Sequence, residues 1–223
     1  MASKADCTYT GCFCEENTFL LCERLLGRPD RASAGSDGVE QAVAALKGRR
    51  VVRCWAVWVS NPSKKVAVWR QGAMNEGGGE EDDEGLAVWD YHVFCAATLG
   101  PDEQGGEETT VILDLDSTLP FPSRAEEYIQ GAFKPHDPIN EQFRPTFRLV
   151  AGEDFLESFS SDRSHMLRPD GGYNAPPPTY SPIISKGGAK TNVMAFADVA
   201  DRKIPGAILA LGELLPAMLS SAS

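Results

Sequence analysis

The sequence predicts an α+β fold in which helices near the amino terminus are followed by a largely antiparallel β-sheet. Two observations lead to this prediction. Apolar residues recur at helical spacing up to about residue 48, whereas from residue 51 they form short runs typical of strands. Because the strands follow the helices and do not alternate with them, the pattern favours α+β over a parallel α/β sheet. The chain has 223 residues, and we expect residues 1–223 to form a single domain.

Two helices are predicted at the start of the chain. The first covers residues 15–26, which place Phe19, Cys22 and Leu26 on one face and acidic side chains in the first turn. The second covers residues 37–48, where an aspartate and a glutamate three residues apart form a capping pair and a glycine ends the apolar stripe.

The strand predictions begin with residues 51–59. This run is apolar on both faces apart from Arg53, which is typical of a central strand buried on both sides. Residues 61–65 follow as a turn that contains an Asn-Pro dipeptide. Further strands are predicted over residues 66–69, 86–97, 109–115 and 146–150.

Two segments are predicted to lie outside the regular elements. Residues 72–85 combine three consecutive glycines with five consecutive acidic residues, and we expect a flexible acidic insertion between strands. Residues 171–182 contain three consecutive prolines and are expected to form an extended surface loop. Residues 177–180 within this loop match the Pro-Pro-x-Tyr pattern that WW domains bind, so an interaction module is an alternative to a proline-stiffened loop.

The composition limits the classes of partner. With 21 basic and 32 acidic residues the formal net charge is −11, which argues against a broad surface for nucleic acid or an anionic membrane. The first residues lack the apolar core of a signal peptide. The most apolar late stretch, residues 208–219, is interrupted by Glu213 and Pro216 and falls short of the roughly 20 apolar residues that span a bilayer. We expect a soluble intracellular protein whose six cysteines are mainly free thiols.

Cys14 is the first candidate for a chemical role. It stands immediately before the first predicted helix, where the helix dipole and unpaired backbone N–H groups favour the thiolate. The alternative is a small buried side chain without reactivity. A zinc site is a further alternative, although the cysteine spacing does not match a zinc knuckle, and we predict no metal and no cofactor. The cysteines concerned are Cys7, Cys12, Cys14 and Cys22.

His92 lies inside an apolar strand, where an imidazole is costly unless it is hydrogen-bonded or takes part in chemistry. Strand alternation predicts one face for Asp90 and His92. It predicts the opposite face for Trp89 and Tyr91. The alternative interpretation of His92 is a core histidine whose hydrogen bonds are satisfied.

An apolar strand delivers two carboxylates, Asp114 and Asp116, at its end. Residues 114–118 resemble the Asp-x-Asp-x-Thr signature of haloacid-dehalogenase-type phosphatases, in which the first aspartate is a nucleophile and the second an acid/base. That family also uses a parallel α/β domain and a later acidic pair that holds magnesium, whereas here the motif lies at mid-chain in a strand-rich region with no Asp-Asp pair after it. The other chemistry open to Asp114 is to orient a histidine.

The order Cys14, His92, Asp114 resembles the arrangement of papain-like and transglutaminase-like enzymes, in which a helix-borne cysteine packs on a largely antiparallel sheet. In that arrangement the cysteine attacks an acyl carbon and the histidine exchanges the proton. The aspartate fixes the imidazole tautomer and stabilises its cation.

Several short segments together are similar to one family, the protein N-terminal glutamine amidohydrolases. The segments are Cys-Phe-Cys-Glu-Glu-Asn (12–17), Val-Trp-Asp-Tyr-His-Val (88–93), Asp-Leu-Asp-Ser-Thr-Leu-Pro-Phe-Pro (114–122), Phe-Arg-Pro-Thr-Phe-Arg (143–148), Ser-Asp-Arg-Ser-His-Met (161–166) and Pro-Thr-Tyr (178–180). They occur in the family's order, and their combination is highly specific although each piece alone is not. The acidic insertion and the tail after Pro205 depart from the family pattern without touching these segments.

The resemblance implies a monomeric enzyme that converts an N-terminal glutamine to glutamate with release of ammonia, feeding the arginylation branch of the N-degron pathway. It implies proteins or peptides with a free N-terminal glutamine as substrates, and a cytoplasmic location that extends to the nucleus. The family's catalytic residues correspond to Cys14, His92 and Asp114. A cysteine peptidase or a transglutaminase would use the same three groups, but only the amidohydrolase would lose its substrate when the α-amine is blocked.

Specificity for a chain terminus requires a group that binds the free α-ammonium. Glu15, Asp90 and Asp116 are the carboxylates nearest the three catalytic candidates in the sequence. Each has another explanation: Glu15 complements the helix dipole, Asp90 assists the histidine, and Asp116 caps a turn. The sequence does not distinguish among them.

Overall fold

The computed structural model describes most of the chain. The described residues are 4, 7–28, 46, 49–72, 84–102 and 105–220. The α-helices among them are α1 (Cys14–Leu25), α2 (Ala125–Phe133), α3 (Gly152–Ser158), α4 (Val193–Ala197) and α5 (Leu211–Leu219). Two short 3-10 helices, Glu141–Phe143 and Ser164–Met166, lie between them.

The strands of the described residues form two sheets. They are β1 (Val51–Ser60), β2 (Val66–Val68), β3 (Ala87–Trp89), β4 (His92–Leu99), β5 (Thr109–Leu113), β6 (Ser123–Arg124), β7 (Thr146–Ala151) and β8 (Ala207–Ala210). The main sheet has the order β6-β5-β4-β1-β7-β8, and β2 pairs with β3. These pairings are all antiparallel, which confirms the predicted α+β fold with a largely antiparallel sheet.

The central position of β1 explains its composition. It pairs with β4 on one side and with β7 on the other. Ala56 and Trp58 face one layer of the core, and Val57 and Val59 face the other. None of the four side chains is more than 1% exposed, which confirms the predicted central strand. The predicted turn after it is confirmed as well, at residues 61–65.

Helices cover both faces of the main sheet. α1, α3 and α4 pack on one face, where the Trp58 ring lies 6.1, 5.9 and 5.3 Å from the rings of Phe155, Phe159 and Phe196. Phe19 of α1 joins this aromatic cluster through Phe155, at 5.8 Å. α2 and α5 pack on the opposite face. The cluster holds α1 against the sheet, where it contacts β4 and β1.

The structure agrees with the first predicted helix and divides one predicted strand. The helix predicted over residues 15–26 is α1, which begins one residue earlier, at Cys14. The strand predicted over residues 86–97 is two strands, β3 and β4, which belong to different sheets and are separated by Asp90 and Tyr91.

Two predicted segments cannot be compared with the structure. The helix over residues 37–48 lies outside the described residues apart from Leu46, and so does the acidic insertion apart from its ends. Within the described residues the longest helix is α1, with 12 residues. No helix there has the length and apolar character needed to cross a membrane.

Candidate active site

Two neighbouring strands bring a histidine and an aspartate together. His92 is the first residue of β4, and Asp114 follows the last residue of β5. Because β4 and β5 are antiparallel neighbours, the start of one lies beside the end of the other. The Nε2 atom of His92 lies 3.1 Å from Oδ1 of Asp114, and both side chains are 1% exposed.

Both carboxylate oxygens of Asp114 accept hydrogen bonds. The Tyr128 hydroxyl donates to Oδ2 at 2.7 Å, and the Gln71 amide donates to the same oxygen at 3.4 Å. The backbone N–H of Asp116 donates to Oδ1 at 3.0 Å. Burial disfavours the charge, but attraction to His92 and the accepted hydrogen bonds lower the pKa of Asp114 to about 2. Asp114 is therefore an ionised acceptor at neutral pH.

The His92 ring is fixed by stacking as well as by Asp114. The Trp89 ring stacks on it, with centroids 5.6 Å apart and 20° between the planes. The sequence prediction that Trp89 and His92 occupy opposite faces is therefore wrong. Its basis was an uninterrupted strand, whereas the chain leaves the small sheet at Asp90 and Tyr91 before it enters the main one.

The pairing with Asp114 sets the proton affinity of His92. Burial alone would lower the pKa of His92, because water no longer solvates the imidazolium. The attraction and hydrogen bond of Asp114 outweigh this effect and raise the pKa above its ordinary 6.5. With Nε2 held by Asp114, Nδ1 is the nitrogen that can exchange a proton with another group.

Cys14 is delivered to the same place by α1. The N–H groups of the first turn of a helix have no intrahelical partners, and the preceding residue, Phe13, gives them no side-chain cap. The backbone N–H of Val93, the residue after His92, favours the ionised form of the Cys14 sulfur. Cys14 and His92 line one cavity.

The surroundings of Cys14 oppose ionisation of its thiol. Burial, followed by the negative charges of Glu15 and Asp116, raises the pKa of Cys14 well above 9.0, and the Val93 N–H lowers it only in part. The thiol also donates to Oε2 of Glu15 at 3.6 Å. The prediction that the position of Cys14 favours the thiolate is therefore wrong for the substrate-free protein, because burial and the two carboxylates favour the neutral thiol.

We expect Cys14 to react slowly with iodoacetamide when no substrate is present. Alkylation requires the thiolate, so its rate at Cys14 should rise with pH through a midpoint above 9.0. The measurement is the pH dependence of alkylation at each cysteine by peptide mass mapping, with the exposed Cys12 as internal comparison. Modification of Cys14 ahead of Cys12 below about pH 8 would show instead that a thiolate–imidazolium pair is the resting state.

A cavity of about 240 Å³ opens beside the Cys14 thiol. It is smaller than the roughly 300–1,000 Å³ of pockets that enclose drug-sized ligands. It therefore suits the side chain of one residue better than an extended stretch of chain. The residues that line it include Cys12, Cys14, Asp90, His92, Asp116 and His165.

The three candidate carboxylates occupy different positions at this cavity. Asp116 lines it, and the Tyr9 hydroxyl donates to its Oδ1 at 2.6 Å. Asp90 also lines it but is exposed, and its Oδ1 accepts the Tyr91 backbone N–H at 2.9 Å. Glu15 is fully buried, and its Oε2 lies 3.4 Å from the hydroxyl of Tyr91, a lining residue.

His165 is a site residue that the sequence leaves undecided between a substrate-side group and an exposed one. Its side chain is 9% exposed, lines the cavity and places Nε2 3.3 Å from Oε1 of Glu15. Its ring packs edge-on against Phe13, at 6.5 Å. The signal that points to it is the polar run 161–166, which is one of the family-like segments.

A buried ion pair anchors the loop that carries His165. Arg163 donates to Glu16 through Nε at 3.0 Å and through Nη2 at 2.9 Å, and the Ser161 hydroxyl donates to Glu16 at 2.9 Å. Glu16 is 0% exposed and Arg163 is 5% exposed. Because Glu16 follows Cys14 by two residues on α1, the pair ties this loop to the helix that carries the thiol.

We expect Glu16→Gln to lower the free energy of unfolding by about 3–5 kcal/mol, because it leaves the Arg163 charge buried without its partner. The matched control is Glu126→Gln, in the first turn of α2 but exposed, which should change that free energy by less than about 1 kcal/mol. Urea unfolding followed by circular dichroism measures both variants. Equal stabilities of the two variants would contradict this role of the ion pair.

The proline-rich loop packs on the same ion pair. Arg163 donates from Nη1 to the Pro178 carbonyl at 3.0 Å, and its guanidinium lies 5.1 Å from the Tyr180 ring centroid. Tyr180 is half-buried. The Pro-Pro-x-Tyr segment therefore makes contacts within the chain, which favours a proline-stiffened loop over a WW-binding motif.

Three cysteines form a separate cluster in the core. The sulfur atoms of Cys22, Cys54 and Cys95 lie 3.6, 3.8 and 4.0 Å from one another, and no member of the cluster is more than 3% exposed. Cys22 thus packs with thiols from β1 and β4. Among the described residues, the groups whose ligand atoms lie within 4.8 Å of one another include Cys22 with Cys54 and Cys95, and not Cys7, Cys12 or Cys14.

The phosphatase alternative requires Asp114 as a free nucleophile. Its two oxygens instead accept hydrogen bonds from His92 and Tyr128, among others, and β5, which leads to it, has antiparallel neighbours. Ligand atoms of His92, Asp114 and Asp116 lie within 4.8 Å of one another and could hold a metal ion. Since His92 and Asp114 already bind each other, this geometry favours the orientation of a histidine.

Comparison with known proteins identifies one family. The family model described as N-terminal glutamine amidase matches residues 9–218. "Protein N-terminal glutamine amidohydrolase" of Drosophila ananassae is 35% identical over 215 residues, covering 95% of this chain and 88% of the relative. The proteins of the same name from Drosophila willistoni and Drosophila grimshawi are 35% identical over 214 residues (95% and 88% covered) and 34% identical over 221 residues (98% and 91% covered). The chain therefore belongs to the N-terminal glutamine amidase family.

Proposed function

We propose that this protein deamidates the side chain of an N-terminal glutamine, producing glutamate and ammonia, with Cys14, His92 and Asp114 as catalytic residues. The observation that carries the proposal is the buried His92–Asp114 pair at 3.1 Å beside the cavity that Cys14 and His92 line, in a chain of this family. A thiol at the start of a helix that packs on an antiparallel sheet supports a papain/transglutaminase-like arrangement.

In the first step the Cys14 sulfur attacks the side-chain carbonyl carbon of glutamine. Nδ1 of His92 takes the thiol proton as the C–S bond forms, so no free thiolate has to persist in a site that disfavours it. Asp114 stabilises the imidazolium that results. The carbonyl oxygen becomes an oxyanion, which the backbone N–H of Cys14 stabilises by about 3 kcal/mol.

The tetrahedral intermediate then collapses. His92 donates its proton to the amide nitrogen, the C–N bond breaks, and ammonia departs. A thioester then remains on Cys14. Water attacks the thioester while His92 accepts a proton from it. That proton returns to the departing sulfur, and the products are glutamate and the regenerated thiol.

The small volume of the cavity favours this reaction over peptidase and transglutaminase activities. A peptidase must bind residues on both sides of the bond that it cleaves, and a transglutaminase must admit an internal glutamine together with an amine. A cavity of about 240 Å³ suits a single terminal residue.

Intact-mass analysis of three peptides tests the proposal. One peptide has a free N-terminal glutamine, the second is the same peptide acetylated, and the third begins with asparagine. We expect a gain of about 1 Da on the first alone, because hydrolysis exchanges an amide for an acid. Cleavage of the acetylated peptide would indicate a peptidase, and no mass change on any peptide would overturn the proposed function.

We also propose a cytoplasmic location. It is supported by the six cysteines, which are free thiols, as is usual in a reducing compartment. Cell fractionation tests it, and recovery of the protein in a secreted fraction would contradict it.

A further inference from the structure

We infer that Asp116 binds the α-ammonium of the substrate and thereby makes a free chain terminus a requirement, an inference that rests on the proposed function. An enzyme that acts on N-terminal but not on internal glutamine must bind the charge that only the terminus carries. Glu15, Asp90 and Asp116 are all near the site, but their positions differ enough to choose among them.

The covalent structure of glutamine limits where that carboxylate can lie. Four bonds join the α-nitrogen to the side-chain amide carbon, so these atoms are at most roughly 5 Å apart. The carboxylate must therefore line the cavity and must also lie close to the reacting groups.

Asp116 meets both conditions. It lines the cavity together with Cys14 and His92. One of its oxygens lies within 4.8 Å of a ring nitrogen of His92 and of an oxygen of Asp114. Its charge also acts on both Cys14 and His92, which is consistent with a short distance to each.

Glu15 does not line the cavity, and Asp90 lines it as an exposed residue. Glu15 is close to Cys14, at 3.6 Å, but it is fully buried and its other oxygen faces His165 at 3.3 Å. Asp90 lines the cavity, but it is exposed and its Oδ1 accepts the Tyr91 backbone N–H.

Asp116 retains the capacity to bind a cation. Among the described residues its side chain accepts a hydrogen bond from Tyr9 alone, at Oδ1. Burial, the largest effect, raises the pKa of Asp116, so its charge is poorly solvated and a bound ammonium would compensate for the lost water. The Lys4 ammonium is also attracted by Asp114 and Asp116, but burial outweighs this attraction and lowers the pKa of Lys4.

Binding at Asp116 also provides a way to activate the nucleophile. In the free protein the charge of Asp116 is one cause of the raised pKa of Cys14. A bound ammonium offsets that charge, so ionisation of the thiol becomes less costly only when a free terminus is present. An acetylated or internal glutamine leaves the thiol in its unreactive form.

The test compares two peptides in wild-type and variant proteins. One begins with glutamine, and the other begins with a glutaric acid monoamide cap, which is glutamine without its α-amine. Ammonia release gives kcat/KM for both peptides with the wild type, Asp116→Asn and Asp90→Asn. If turnover of the capped peptide is too slow to measure, the affinities of both peptides are compared instead, in the Cys14→Ala variant with and without Asp116→Asn.

The wild type is expected to prefer the glutamine peptide by about 100-fold or more, as for other partly buried charge pairs. Asp116→Asn should make kcat/KM equal for the two peptides within about threefold, by lowering the value for the glutamine peptide and not that for the capped one, because the charge that opposes ionisation of Cys14 is then lost. Asp90→Asn should keep the wild-type ratio. The alkaline decline that deprotonation of the substrate's α-ammonium causes near about pH 8 should disappear in Asp116→Asn.

Two results would overturn the inference. Equal losses of kcat/KM on both peptides in Asp116→Asn would show that Asp116 positions His92 and does not bind the ammonium. Loss of the preference for the glutamine peptide in Asp90→Asn would show that the ammonium binds Asp90. The proposed function fails separately, if the wild type releases no ammonia from the glutamine peptide.

Discussion

Replacing Cys14 by alanine is expected to lower ammonia release from peptides with N-terminal glutamine by about 10⁴-fold or more. The substitution removes the atom that forms the thioester. The fold should be kept, because Cys14 is only partly buried and alanine has the highest helix propensity. Steady-state kinetics measure the loss, and circular dichroism with urea unfolding checks that the variant is folded.

Cys12 is the competing nucleophile, because it is exposed and lines the same cavity. It precedes the helix, whereas Cys14 is the first residue of α1 and the Val93 N–H, beside His92, lowers its pKa in part. The Cys12→Ala variant is therefore expected to retain activity within about tenfold. If Cys14→Ala stays active and Cys12→Ala does not, the nucleophile is Cys12 and the assignment of α1 as its carrier is wrong.

The architecture could be predicted where one local pattern has one structural explanation. Residues 51–59 are apolar on both faces, and only a strand with neighbours on both sides and layers above and below buries both sets. Residues 15–26 carry apolar side chains at helical spacing, and the structure places α1 within one residue of this range, although residues 15–23 are all buried, polar ones included. In both cases the period of the apolar residues decides the element.

The carboxyl-terminal element could not be predicted in this way. The sequence predicts no helix over residues 208–219, where Glu213 and Pro216 interrupt the apolar run, yet α5 contains both. The Glu213 carboxylate accepts a backbone N–H at the start of the helix at 2.7 Å, and Leu214 and Met218 are 0% exposed against the sheet. Burial against a distant part of the chain outweighs the helix-breaking tendency of the proline.

The candidate site also has one part that local sequence patterns predict and another that depends on contacts between distant parts of the chain. Cys14, His92 and Asp114 could be selected from the sequence because their residue types, order and flanking segments are distinctive. The protonation state of Cys14 could not be predicted, because it depends on burial and on Asp116, a residue that only the folded chain brings near the thiol.

Asp114→Ala is expected to reduce kcat/KM by about 10⁴-fold, because His92 then loses the acceptor that fixes its tautomer. In the active tautomer Nε2–H donates to Asp114 and leaves Nδ1 free to take the Cys14 proton. Without the acceptor the proton can occupy Nδ1, and this nitrogen then cannot accept the proton of Cys14. Kinetics of ammonia release measure the effect, and circular dichroism reports whether the buried substitution disturbs the fold.

Asp114→Asn separates the orientation of the ring from the charge that acts on it. The backbone N–H of Asp116 and Nε2–H of His92 both donate to the Oδ1 position, so the new amide should place its oxygen there and its NH2 toward the Tyr128 hydroxyl, which can accept. The tautomer is then kept, while the attraction that raises the pKa of His92 is lost. We expect a loss of roughly 10–100-fold, since each pKa unit is a tenfold change in the stability of the imidazolium.

His92 must be neutral to accept the proton, so activity falls as pH drops through its pKa, and the lower pKa of the variant should move this acid limb of kcat/KM to lower pH. An Asn variant as inactive as the Ala variant, with an unmoved acid limb, would show that Asp114 acts through the fold and not through the charge of His92.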